Sequence, residues 1–249
     1  VGSEMCIRDR AYSDHLLEDA WTFGGNATFY LPFGASDDTY LSFDYFGTRF
    51  AEQMVVDYEH GLNAIDFYAL GGKRSYSNNY QVDFNVEAFR RFTVSATFRY
   101  TDAKVELEGR GLVERPMTSR YKGVLNLQYA TNLNKWIFDF TASVNGKSRV
   151  YEFMKGLRGD DGELLYKDGY TPVYPLLYLQ VTKRFKGVDL YLGAENLTNF
   201  RQKNVVIGTA IEGMSGHVDA SRPDFDASAV WGPIMGTKFY LGARFTLWK

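Results

Sequence analysis

Residues 80–100 read Tyr80-Gln81-Val82-Asp83-Phe84-Asn85-Val86-Glu87-Ala88-Phe89-Arg90-Arg91-Phe92-Thr93-Val94-Ser95-Ala96-Thr97-Phe98-Arg99-Tyr100. Up to Ala88, the apolar residues Tyr80, Val82, Phe84 and Val86 alternate with Gln81, Asp83, Asn85 and Glu87. After the arginine pair the alternation resumes, with Phe92, Val94, Ala96, Phe98 and Tyr100 set against Thr93, Ser95, Thr97 and Arg99. A period of two puts the two sets on opposite faces of an extended strand, and Arg90-Arg91 is short enough to be the turn of a hairpin. Each arm is about ten residues long, roughly twice the usual strand.

The same pattern spreads outward from this hairpin. Trp136, Phe138, Phe140, Ala142 and Val144 alternate with Asp139, Thr141, Ser143 and Asn145, and Phe239, Leu241, Ala243, Phe245 and Leu247 alternate with Lys238, Tyr240, Gly242, Arg244 and Thr246. About nine segments follow: 24–33, 38–59, 73–90, 92–106, 117–131, 134–147, 173–186, 188–200 and 236–248. The second carries a phase slip between Gly47 and Phe50, which predicts a bulge. Nothing reads as a helix of useful length; His15 to Ala20 is one turn at most.

Connection lengths decide between architectures. Those at 34–37, 90–92, 131–134 and 186–188 are tight, whereas 60–72, 107–116, 148–172 and 201–235 are long, and the two kinds alternate strictly. In an antiparallel meander this sends every tight turn to one rim and every long loop to the other. Strands of about 9–11 residues cross a bilayer at a tilt, so the pattern is that of an outer-membrane barrel. The expected fold is all-β: an antiparallel up-and-down transmembrane β-barrel fragment of about nine long strands, with short periplasmic turns and long extracellular loops. Backbone groups in lipid must all pair, so such a sheet has to close. Nine strands leave two edges, and single-chain bacterial barrels have even counts. The chain is therefore expected to be incomplete.

Composition agrees and excludes alternatives. The 249 residues include 4 Trp, 18 Tyr, 19 Phe and 24 Gly, with a mean hydropathy of only -0.30. That combination suits a β protein with one polar face. Lys and Arg total 28 against 30 Asp and Glu, for a formal net charge of -2, which gives no basic surplus for nucleic-acid binding. No apolar run exceeds four residues (Leu176 to Leu179), far below the roughly 18 of a membrane helix. The single cysteine, Cys6, excludes an internal disulfide framework. It falls in residues 1–10, Val-Gly-Ser-Glu-Met-Cys-Ile-Arg-Asp-Arg, which resemble a translated sequencing-adapter tail, a non-native segment outside the domain of residues 11–249.

Several stretches carry a family resemblance. Asp189-Leu-Tyr-Leu-Gly-Ala-Glu-Asn-Leu-Thr-Asn-Phe200 resembles the GxENLTN(F/Y) element late in the barrels of TonB-dependent outer-membrane receptors, and Gln202-Lys203-Asn204 follows as it does there. Phe225-Asp226-Ala227-Ser228 and Trp231-Gly232-Pro233-Ile234-Met235-Gly236 resemble the loop before that family's last strand. Tyr45-Phe46-Gly47-Thr48-Arg49-Phe50 and Asn145-Gly146-Lys147 are similar to other barrel positions. Two departures concern loops: Asn204-Val205-Val206 stands where the family often has Asn-Pro-Ile, and Ile211 to Pro223 reads as an insertion. The resemblance implies that residues 11–249 are the C-terminal part of a TonB-dependent receptor barrel, whose whole would have 22 strands and an N-terminal plug that this sequence lacks. It also implies active import of a ferric siderophore, another metal complex or a glycan across the bacterial outer membrane, with TonB as partner through the missing N-terminal region. A passive outer-membrane channel is the alternative, as is an outer-membrane phospholipase or protease.

Tyr240-x-Gly242-x-x-Phe245-x-Leu247 also resembles the signal that outer-membrane proteins present to the barrel-assembly machinery, since an edge strand with outward hydrophobes can add to a partner's sheet. Binding groups sit on loops held by a rigid scaffold. The ligand-contact candidates are accordingly Arg149, Tyr151, Arg158, Asp160 and Asp161 in one loop, and His217, Arg222, Asp224 and Trp231 in another. No catalytic, metal or cofactor site is expected. His15, His60 and His217 are isolated, Asp160-Asp161-Gly162-Glu163 lacks the spaced ligands of a calcium loop, and no nucleophile elbow, phosphate loop or dinucleotide fingerprint occurs.

Overall fold

The computed structural model describes residues 17–59, 66–158, 162–202, 206–207, 224–225 and 230–246. Its strands in chain order are β1 (Asp19–Tyr30), β2 (Tyr40–Glu52), β3 (Met54–Asp57), β4 (Asp66–Ala69), β5 (Ser75–Phe89), β6 (Phe92–Leu107), β7 (Gly111–Glu114), β8 (Tyr121–Ala130), β9 (Trp136–Asn145), β10 (Tyr174–Phe185), β11 (Val188–Glu195), β12 (Val206–Ile207), β13 (Asp224–Phe225) and β14 (Lys238–Phe245). Nine of them, β1, β2, β5, β6, β8, β9, β10, β11 and β14, pair in that order as one antiparallel sheet, and β7 adds to the end of β6. This is the up-and-down meander expected from the sequence. Among the described residues β1 and β14 do not pair with each other, so the sheet is open.

The register converts alternation into two walls. Leu41, Phe84, Ala96, Leu125, Ala142 and Leu177 stand opposite one another across six successive strands. A neighbouring row of opposite parity is Asp44, Gln81, Arg99, Lys122 and Asn145. One wall is therefore apolar and the other polar over the same span. The apolar wall leaves Phe43, Phe98, Leu179, Leu192 and Leu241 exposed, as a lipid-facing surface requires. Polar side chains of the inner wall bond across strands: Asn26 Nδ2 donates to Asp44 Oδ1 (2.6 Å), Thr97 Oγ1 to Asp83 Oδ1 (2.6 Å), and Asn126 Nδ2 to Thr141 Oγ1 (2.8 Å).

Aromatic belts mark where the outer wall leaves hydrocarbon. Tyr45, Tyr80, Tyr100 and Tyr121 form one register row, with ring centroids 5.0 Å apart for the first pair and 6.3 Å for the second. Further toward the long loops, the same face holds the row Arg49, Tyr76 and Lys104. At the tight-turn rim, Trp136 and Phe138 stack at 6.3 Å and Tyr129 joins Phe138 at 6.4 Å.

Three details differ from the sequence reading. No bulge interrupts Gly47–Phe50: β2 pairs without a break from Tyr40 to Phe50 on β5, and the irregularity lies at Ala51, opposite the Asp19/Ala20 step. The apparent slip arises because Phe46 and Phe50 point to the inner wall while Arg49 takes an outer position above the tyrosine row. The segment expected as one strand over 38–59 divides into β2 and β3. Finally, β11 ends at Glu195, and Asn196–Phe200, expected as its continuation, is a turn in which Asn196 and Asn199 adopt positive φ (52° and 51°).

Candidate functional site

The four long connections converge on the rim opposite the tight turns, and there they build small apolar cores of their own. Val55, Leu70, Val105 and Leu107 form one, with Phe50, Tyr68 and Val113 packed around it. Val150, Met154, Leu157 and Tyr166 form the other, flanked by Met117, Tyr151, Phe153, Leu165 and Trp231. Most of the fully buried apolar side chains lie in this cap rather than in the sheet, whose hydrophobes face outward.

A buried ion pair joins three loops. The Glu59 carboxylate, on the connection after β3, receives the Arg149 guanidinium through Oε1 and the Glu152 backbone N–H through Oε2 at 2.6 Å. The side chains are 1% and 12% exposed. Arg149 Nε also donates to the Glu114 carbonyl at 2.7 Å, on the hairpin that follows β6. Removing a charge from water is costly unless it is paired and hydrogen-bonded, and here both conditions are met. Near this pair, Tyr68 donates to Asp57 Oδ2 (3.3 Å) and accepts from the Glu108 N–H (3.1 Å); burial, aided by the Asp57 charge, pushes its phenol up to about 12. Nearby, the hydrogen bond from Lys155 holds the Glu152 carboxyl below its ordinary value.

Between the cores lies a cleft of about 300 Å³, lined by the run Gln53 to Glu59 with Val105, Leu107, Arg115, Pro116, Thr118 and Tyr151. Val105 and Leu107 share parity with Thr97 and Arg99, so the cleft opens on the inner-wall side. Its carboxylates, Asp57 and Glu59, are buried and already hold donors. The Arg115 guanidinium lies 5.7 Å from the Phe50 ring centroid. The cleft thus offers aromatic faces, from Tyr58 and Tyr151, and a cation. A larger hollow of about 430 Å³ sits on the apolar wall over Ala96, Gly123 and Ala142, where small residues leave room for an acyl chain.

The candidates named from sequence fall in different places. Tyr151 lines the cleft and stacks on Phe153 at 5.7 Å. Arg149 is spent on Glu59. Arg158 is exposed and donates to the Gly162 carbonyl at 2.8 Å. Trp231 is fixed from several sides: its Nε1 donates to the Tyr166 hydroxyl (2.8 Å), its backbone N–H to Gln202 Oε1 (2.8 Å), and its carbonyl accepts from the Tyr174 hydroxyl (3.1 Å). Asp224 belongs to β13, paired with Ile207. Asp160, Asp161, His217 and Arg222 lie outside the described residues, as does Leu247. Arg115, Tyr58 and Glu59 join the site only in three dimensions, and no local motif distinguishes them in the sequence.

Asn196, Gln202 and Trp231, from the stretches that carried the resemblance, form a clasp where β11 hands over to β14. Asn196 Nδ2 donates to the carbonyls of Phe200 (2.7 Å) and Met235 (3.1 Å), and its Oδ1 accepts from the Phe200 N–H (3.1 Å). Gln202 Oε1 accepts from the N–H groups of Trp231 and Gly232, while its own N–H donates to the Pro233 carbonyl (2.8 Å). Within β14, Tyr240 lies on the inner wall over Gly193, and Tyr191 lies over Gly242; a Cβ on either glycine would overlap the ring. Aromatic cover of a strand glycine in this way pins register. Phe245 has the opposite parity and faces outward.

No protein-family model matches the sequence, and comparison with curated proteins gives no match. Solved structures do match. A mutant of the ferric enterobactin receptor PfeA from Pseudomonas aeruginosa is 15% identical with a TM-score of 0.58, covering 91% of this chain and 31% of that one. The siderophore receptor PiuA from Acinetobacter baumannii is 17% identical with a TM-score of 0.50, covering 74% and 25%, and the ferric-catecholate import receptor Fiu from E. coli K12 is 16% identical at 0.50, covering 74% and 24%. The chain spans less than a third of the length of these receptors. The nine-stranded wall shares the fold of part of these receptors.

Proposed function

We propose that the chain is the C-terminal part of a TonB-dependent receptor barrel in a bacterial outer membrane, and that the whole protein imports a ferric siderophore or another metal complex. The observation that carries this reading is the pairing of a lipid-facing, polar-lined wall with a compact, interlocked loop cap on one rim. A passive pore gains nothing from a cap held by a buried ion pair, whereas a receptor that must recognise a scarce solute needs a rigid mouth. The likeness to siderophore receptors supports the same reading. The protein transports and does not catalyse. Its ligand meets the cap at Tyr58, Tyr151 and Arg115, with Arg158, Asp160, Asp161, His217, Arg222 and Asp224 as further loop contacts. TonB acts through the N-terminal part of the longer protein, and the barrel-assembly machinery reads β14 and the residues after it.

The test is growth of a deletion strain carrying the complete gene recovered from the same source, with and without TonB. Rescue on limiting iron that requires TonB supports the proposal. TonB-dependent rescue only on a limiting oligosaccharide moves the substrate to a glycan. Rescue that is equal without TonB replaces the receptor by a passive channel.

A further inference from the structure

The outer wall near the tight-turn rim holds one cation that no carboxylate of the described residues answers. Lys183 on β10 has the parity of Leu177, Leu179 and Val181, all on the apolar wall, and stands opposite Trp136 of β9 and Leu190 of β11. Its Nζ lies 4.2 Å from the Trp136 ring centroid and 5.6 Å from that of Phe185. Asp189, across the β10–β11 hairpin, has the opposite parity and is taken by Arg184 at 3.3 Å. An ammonium among outward-facing aromatics, at the edge of the hydrocarbon, is stable only if its remaining donors reach a polar acceptor in the interface.

Further cations lie on the same rim. The turn between β5 and β6 is Arg90-Arg91, the next carries Lys135, and the turn after β10 carries Lys186. Asp37 and Asp38 lie in the connection between β1 and β2, which bonds to the end of β5 beside Arg90-Arg91, whereas the rim cations next to Lys183 itself are Lys135, whose carbonyl accepts from the Arg184 N–H, and Lys186. We infer that Lys183, framed by Trp136 and Phe185, is a binding site for the headgroup phosphate of an anionic phospholipid in the periplasmic leaflet. The aromatic rings hold the ammonium by their negative faces and exclude water on two sides, leaving the third for a phosphate oxygen. The neighbouring rim cations favour a lipid with net negative charge over a zwitterionic one.

The test uses the full-length gene product in bilayer discs of equal phosphatidylglycerol and phosphatidylethanolamine. After transfer to mild detergent, native mass spectrometry counts the lipids that remain bound. The parent is expected to retain phosphatidylglycerol preferentially, and Lys183→Gln to lower that preference about fivefold, the effect of one interfacial cation. Lys183→Arg should keep it. Arg99→Gln, an equal loss of charge on the inner wall, should leave it unchanged. An unaltered preference in Lys183→Gln overturns the site. So does an equal fall in Arg99→Gln, which would make the effect one of overall charge. Heat-modifiable migration of each variant confirms an assembled barrel, and the outcome is independent of whether the protein imports iron.

Discussion

Replacing Arg149 by leucine leaves the Glu59 carboxylate inside the cap with the Glu152 N–H at 2.6 Å as its remaining partner and with its side chain 1% exposed. Breaking a buried pair from one side costs about 3–5 kcal/mol, because the surviving charge is neither solvated nor answered. The sheet does not depend on this pair; its strands pair in order from β1 to β14 without it. The cost therefore falls on local opening of the cap. Hydrogen exchange of the full-length protein in detergent reads it directly at the amides of Val150, which bonds to the Gly169 carbonyl, and of Glu152 and Met117, the last bonded to the Arg149 carbonyl. At about 1.4 kcal/mol per tenfold, exchange at these amides should quicken by roughly two to three and a half powers of ten, with strand amides unchanged. Adding Glu59→Gln to the leucine variant removes the stranded charge and should restore most of the protection, a coupling that loss of packing alone would not give. Exchange within about threefold of the parent in Arg149→Leu would refute the keystone role.

Tyr68 ionises near 12, so its neutral form favours the folded β3–β4 hairpin: that contribution is whole below pH about 10 and fades as pH rises from there through 12. The late part of the tyrosinate absorbance titration should lose one phenol in Tyr68→Phe. Gly193→Ala and Gly242→Ala each drive a methyl into a tyrosine ring and should cost about 1–3 kcal/mol of barrel stability, whereas Gly25→Ala, which meets nothing within 4 Å, should be neutral; thermal loss of heat-modifiable migration measures both. Pairing Gly193→Ala with Tyr240→Ala should recover part of the loss. Asn196→Ala forfeits the bonds to Phe200 and Met235 together with a favoured positive φ, at about 2–4 kcal/mol, and should expose the segment after Asn196 to protease before the wall unfolds.

The wall is legible in the sequence because one strand face is lipid and the other polar, so every residue on Phe92–Tyr100 reports its side by its chemistry alone. The alternation of tight and long connections then sets the meander, since hairpin geometry allows no other order. What alternation cannot carry is the point where the rule lapses. Phe46 and Phe50 are apolar yet face inward: Phe50 packs on the cap's core, while Phe46 stays half exposed beside Gly24; read by period alone, they mimic a bulge. The cap itself is largely illegible. Glu59 and Arg149 are 90 residues apart and join only because two loops fold over the same rim. In sequence Arg149 therefore looks like a free ligand contact, and Glu59 and Arg115 do not stand out, since nothing local separates a structural loop charge from a functional one.

Three residues from the stretches that carried the family resemblance, Asn196, Gln202 and Trp231, have little freedom to touch a ligand. In the turn after β11, both side-chain atoms of Asn196 are bound to backbone; Gln202 fastens two consecutive N–H groups of the returning chain; Trp231 has its indole, amide and carbonyl all engaged. A residue bonded in this way cannot be exchanged without releasing the handover from β11 to β14, whatever the protein carries. It therefore marks the fold and is silent on any ligand. Under the proposed receptor reading, specificity belongs where held side chains face open space, a condition that the cleft of Tyr58, Arg115 and Tyr151 meets among the described residues. Its cation, Arg115, is complementary to an anionic group, and its carboxylates, Asp57 and Glu59, are already committed to the cap. Arg115→Gln should therefore weaken binding of an anionic solute at the cleft while leaving the assembled barrel intact.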